Sequence, residues 1–85
     1  MKVEKAWYIY IIETKSHKYY TGITTDVQRR FQQHASKKGA KYFYMDPPQQ
    51  IVWQVKCENQ SEALREEARI KKLPVHEKQK LFTRN

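Results

Sequence analysis

Cysteine is nearly absent: Cys57 stands alone in 85 residues. A single thiol builds neither a disulfide framework nor a thiolate zinc site. Glycine is almost as scarce, with only Gly22 and Gly39, so no glycine-rich phosphate loop is available. His17, His34 and His76 fall at no zinc-ligand spacing. Long apolar runs are missing too. The stretch from Ala6 to Ile12 is far shorter than the roughly 20 residues of a membrane-spanning helix, and no signal-peptide cleavage pattern follows it, although Lys2, Glu4 and Lys5 precede it. The expectation is a soluble, intracellular, cytoplasmic domain with no membrane role.

Acidic charge is also in short supply. Nine Asp and Glu face 17 Lys and Arg, for a net charge of +8 and a pI near 9.7. On a 10.3 kDa chain that imbalance favours an anionic partner, most often nucleic acid; the plain alternative is a solvated basic surface that aids solubility. The length allows one domain with a small core. Trp7, Tyr8, Ile9, Ile11, Ile12, Phe31, Val52 and Trp53 are its stock.

The order of elements is legible. Residues 6–12, rich in β-branched and aromatic types, suit a central strand covered on both faces. Residues 13–18 form a polar loop, and Tyr19-Tyr20-Thr21-Gly22 a second strand, giving an antiparallel hairpin. Thr25 with Gln28 fits a capping box, so a helix is expected from about Asp26 to Lys37, with Gly39 as a left-handed stop. Residues 39–50 read as an irregular connection, and Gln50–Cys57 as a third strand. Asn59 with Glu62 caps a helix running to Leu73, and Pro74 suits the first turn of a short final helix. The order ββαβα(α) describes an α+β domain with a small antiparallel sheet.

Some polar residues stand where packing alone does not ask for them. On a helical wheel Ala63, Leu64, Ile70 and the stem of Lys71 share one side of the second long helix, and Glu67 lies near its middle. A carboxylate there calls for an ion pair or a bound cation. In the first helix Val27 and Phe31 form the packing face, with Arg30 and His34 beside them, four residues apart. A phosphate between them would explain the pairing, because the guanidinium forks onto phosphate oxygens and the imidazole can move a proton; the plain alternative is an ordinary exposed Arg and His. Tyr10 and Tyr20 share a sheet face if the hairpin turn holds an odd number of residues centred on Lys15; cross-strand aromatic packing alone would also account for them.

Taken in order, Tyr8-Ile9-Tyr10, Tyr20-Thr21-Gly22, the run from Gly22 through Arg30 to His34, Lys38-Gly-Ala-Lys-Tyr42, and Glu62-Ala-Leu-Arg-Glu-Glu67 resemble the GIY-YIG nuclease superfamily, in particular its small standalone bacterial members. The likeness spans residues 6–73, with a short helix over 74–82 completing a single domain. Tyr8 replaces the first motif's glycine and Thr21 the second motif's isoleucine. Phe43-Tyr44 stand where relatives usually carry Thr-Arg, and no asparagine but Asn85 follows the glutamate helix.

The resemblance implies a three-stranded antiparallel sheet flanked by helices, and endonuclease action on nucleic acid, DNA ahead of RNA. It implies that Glu67 binds Mg²⁺ or Mn²⁺, that Arg30 stabilises charge on the phosphoryl oxygens, and that one of Tyr10 and Tyr20 helps activate the attacking water. His34 would assist proton transfer or position the phosphate, and Gly22, Lys38, Lys41 and Tyr42 would contact substrate. Lowering a tyrosine pKa from about 10 to about 7 takes roughly 4 kcal/mol of differential stabilisation, a task for the cation and Arg30. The alternatives are a non-catalytic nucleic-acid-binding module on the same fold and a protein-interaction adaptor.

Overall fold

Three strands pair antiparallel in the order β2-β1-β3, with β1 over Trp7–Thr14, β2 over Tyr19–Thr24 and β3 over Pro48–Cys57. The structure is a computed structural model and describes residues 6–83; Lys2, Glu4, Lys5 and Asn85, which figured in the reading of the sequence, lie outside the described residues. Helices α1 (Val27–Ala35), α2 (Tyr42–Met45), α3 (Gln60–Lys71) and α4 (Val75–Phe82) complete the α+β fold.

Strand periodicity divides the core in two. From β1, Ile9 and Ile11 pack with Cys57, Ala63 and Ile70, under α3. Tyr10 and Ile12 point the other way and pack with Val27 of α1 and Phe43 of α2, edged by Tyr20 and Phe31. The central strand is therefore covered on both faces, which is why it lacks strict alternation of apolar and polar residues.

The hairpin register differs in detail from the expectation. Tyr10 pairs with Gly22, and Tyr20 with Ile12, so the turn is centred on Ser16 rather than Lys15. That displacement preserves the parity of the strands, and the two tyrosines still share a face, diagonally rather than directly opposite. His17 takes the left-handed conformation the turn needs, at φ 68°, one that histidine tolerates better than most residues. Thr14 Oγ1 accepts from the Lys18 amide at 3.0 Å and closes the turn.

Several local expectations need correction. Asp26, not Thr25, caps α1, its carboxylate accepting from the Arg29 amide at 3.0 Å; a carboxylate suits a helix N-terminus better than a hydroxyl when both are at hand. Helix α1 stops at Ala35, and the left-handed residue beyond it is Lys37 at φ 64°, whereas Gly39 has no positive φ. Residues 39–50 are more ordered than expected, since they hold α2 and the start of β3. Leu64 is 48% exposed and not core. Asn59 does cap α3, accepting from the Glu62 amide at 2.9 Å. Pro74 sits at the cap of α4, one position before its first turn. No described helix is long and apolar enough to cross a membrane.

Candidate active site

The two glycines of the chain lie against the same pair of side chains. A Cβ at Gly22 would stand 2.5 Å from Tyr10 Oη and 2.7 Å from its Cζ. A Cβ at Gly39 would collide with His34 Nδ1. Tyr10 and His34 are each 1% exposed and hydrogen-bonded to one another, Oη to Nε2, at 3.1 Å. Gly22 is thus needed for close approach on β2 and Gly39 for close approach after α1, neither for backbone freedom.

The bond has a direction. The Ala40 amide donates to His34 Nδ1 at 3.1 Å, so Nδ1 carries no proton and the neutral ring holds its hydrogen on Nε2. His34 therefore donates to Tyr10 Oη, and Tyr10 keeps its own proton to give elsewhere. Burial, followed by the nearby Arg30 guanidinium, pushes the His34 pKa down from 6.5 to about 4. Burial, followed by Tyr20, pushes Tyr10 up to about 12, with Glu67 adding to the rise, while Arg30 acts in the opposite direction.

These positions revise the expected role of His34. With both ring nitrogens engaged inside the fold, it is not a surface partner of Arg30 with a phosphate between them. It orients Tyr10. The sequence carried a signal for this: Val27, Phe31 and His34 follow i, i+4, i+7 spacing, the stripe of a core-facing helix side.

The depressed pKa has a thermodynamic consequence. Above pH 6.5 His34 is neutral in both folded and unfolded chains and contributes no pH dependence. As pH falls from 6.5 towards 4 the unfolded chain takes up a proton that the folded one refuses, so stability drops by at most about 3 kcal/mol across that window. Denaturant titrations between pH 7 and 4 should show this slope in wild type and lose it in His34→Gln. An equal slope in both would place the titrating group elsewhere.

Arg30 is half-buried on α1, its Nη1 donating to Gln33 Oε1 at 2.9 Å. A cleft of about 360 Å³ opens beside it, lined by Trp7, Ile23, Thr24, Arg29 and Gln33. Tyr10 and Tyr20 pack on the face of the sheet that Val27 and Phe31 of α1 cover and do not line that cleft, although Arg30 acts on the Tyr10 phenol. Tyr20 is half-buried, and its ring lies 5.5 Å from His34 and 4.7 Å from Phe43, centroid to centroid. Among the described residues its hydroxyl makes no hydrogen bond, so it is the phenol open to a ligand.

Glu67 comes from α3, on the other face of the sheet, and is near enough to Tyr10 to influence its acidity. Its side chain is 20% exposed and pairs with Lys71 Nζ at 3.3 Å. Among the described residues no three His, Cys, Asp or Glu side chains cluster as a metal cage. A lone carboxylate with solvent access suits Mg²⁺, or the similar Mn²⁺, which keeps several waters and needs only one or two carboxylates; it does not suit zinc. Thr21 is buried with Oγ1 unpartnered among the described residues, at a desolvation cost of about 1–3 kcal/mol. Lys38, Lys41 and Tyr42 are exposed; the lysines lie between α1 and α2, and Tyr42 opens α2 with its ring 5.4 Å from Tyr20.

The model of the GIY-YIG catalytic domain matches residues 6–80. The chain belongs to the GIY-YIG family. Similar GIY-YIG relatives include a UPF0213 protein of Cupriavidus necator, 45% identical over 78 residues, which cover 92% of this chain and 85% of that protein. The UPF0213 protein YhbQ of Escherichia coli is 45% identical over 75 residues, 88% of this chain and 75% of that one. Among solved structures, the UPF0213 protein of Bacillus halodurans aligns with TM-score 0.57 and 42% identity over 89% of this chain and 81% of its own. A protein from E. faecalis aligns with TM-score 0.62 and 34% identity over 95% and 88%. GIY-YIG membership makes this a nuclease-family domain, and nucleic acid the class of partner on which the family acts.

Proposed function

We propose that this domain hydrolyses phosphodiester bonds in nucleic acid, DNA ahead of RNA, with Mg²⁺ or Mn²⁺ bound at Glu67. The observation that carries the reading is the setting of one phenol: Tyr10 is held by His34 Nε2–H, with Arg30, Tyr20 and Glu67 all within electrostatic reach of it.

Each residue then has a task set by its chemistry. Arg30 meets the negative charge that grows on the phosphoryl oxygens, where fixed donors are most effective. Tyr20, with its hydroxyl open, orients the attacking water. Tyr10 is unsuited to be the base, because bringing its pKa from about 12 to 7 requires roughly 7 kcal/mol. Buried and bonded to His34, it is a fixed phenol that positions the groups beside it, Arg30 and Tyr20. His34 is a positioning residue. Glu67 would hold a divalent cation, which would supply further charge stabilisation to the phosphoryl group.

The deciding assay incubates the protein with duplex, branched, flapped and single-stranded DNA, and with RNA, in Mg²⁺ or Mn²⁺. Cleavage of at least one substrate, abolished by EDTA, is expected. Tight binding without cleavage of any of them would replace this reading with that of a binding module.

A further inference from the structure

Helix α2 is four residues long, and only Phe43 is buried. Tyr42 is 44% exposed, Tyr44 46% and Met45 93%. Three large apolar side chains in one turn are a poor fit to a surface that merely meets water. They are preceded by Lys37, Lys38 and Lys41, all exposed. The acid nearest in sequence, Asp46, is engaged by Ser16, whose Oγ donates to it at 2.6 Å and whose amide donates at 3.1 Å.

The aromatic surface is continuous with the candidate active site. The Tyr42 ring lies 5.4 Å from Tyr20, and Tyr20 lies 5.5 Å from His34, which is bonded to Tyr10. Phe43, 4.7 Å from Tyr20 and 4.4 Å from His34, anchors the turn from beneath.

We infer that Tyr42 and Tyr44, with Lys37, Lys38 and Lys41, form a stacking platform for unpaired bases next to the cleavage site, so that the preferred substrate carries a single-stranded segment. The inference rests on the reading of the site as one that handles nucleic acid. Lysines track the phosphates, and exposed rings take base faces that a duplex keeps hidden.

The test measures binding in EDTA by fluorescence anisotropy, using a blunt DNA duplex and the same duplex with an unpaired DNA or RNA tail. Each stacked base is worth enough to alter affinity by about tenfold. Wild type should therefore prefer either tailed duplex to the blunt one by about tenfold. In Tyr44→Ala, and in Tyr42→Ala if thermal unfolding shows it folded, that ratio should fall towards one, while Tyr42→Phe and Tyr44→Phe should keep it. Equal affinity of wild type for tailed and blunt duplexes, or a ratio untouched by Tyr44→Ala, overturns the platform and leaves the nucleic-acid reading standing. No binding of wild type to any of the probes overturns both. A preference limited to one kind of tail identifies DNA or RNA as the source of the bases.

Discussion

Glu67→Gln and Arg30→Ala should each reduce cleavage by at least about a hundredfold, the scale on which loss of a single preorganised charge-stabilising group is felt. In Glu67→Gln the side-chain amide preserves shape while removing the charge that a divalent cation requires. Since Glu67 is only partly buried and its partner Lys71 is exposed, the fold should survive with a similar melting temperature. Glu66→Gln is the matched control. Glu66 is more exposed than Glu67 and pairs with Arg69 at 2.7 Å, so cleavage should persist. Arg30→Ala removes a guanidinium that donates to Gln33 and also acts on the Tyr10 phenol, and its loss should appear in kcat more than in KM. Wild-type turnover in both Glu67→Gln and Arg30→Ala would refute the assignment of these groups.

The second large effect is expected at Gly22. A methyl group there would lie 2.5 Å from Tyr10 Oη, and the buried phenol has nowhere to swing. Gly22→Ala should destabilise the fold by about 1–3 kcal/mol through overpacking and break the geometry of the Tyr10–His34 bond, so cleavage should fall more than stability alone explains. Urea unfolding and kinetics on the same preparation separate the two effects. A Tyr10→Phe background should give only partial relief, because Cζ would still stand 2.7 Å from the added methyl. If Gly22→Ala matches wild type in both stability and turnover, the close approach is not what this position serves.

How much of this the sequence reveals depends on the range of the interaction. Strands and helices are legible because β-branched runs, the Asn59 cap and Pro74 act within a few residues. Tyr10 and Tyr20 are legible as a pair on one face because strand parity survives the actual register. The centre of the turn is not, since it depends on whether His17 accepts a left-handed backbone. Leu64 and Glu67 both read as inward on an ideal wheel, yet α3 turns Leu64 to solvent, and only packing against β1 and β2 decides that. The burial of His34 depends on the Ala40 amide and on the absence of a side chain at Gly39, both beyond the end of its own helix. Arg30 is placed by its helix, and its proximity to Tyr10 follows from how α1 lies on the sheet.

The Ala40 amide has one further consequence. An imidazole beside a reactive centre commonly makes a protein's behaviour follow the acidity of its surroundings, because the ring alternates between giving and receiving a proton. Here the receiving nitrogen is occupied by a main-chain group that does not titrate. The ring is reduced to a permanent donor, as constant as a peptide N–H, over the whole range in which a free histidine would change state. What the fold has built around Tyr10 is therefore a fixed dipole made from a residue usually kept for its variability.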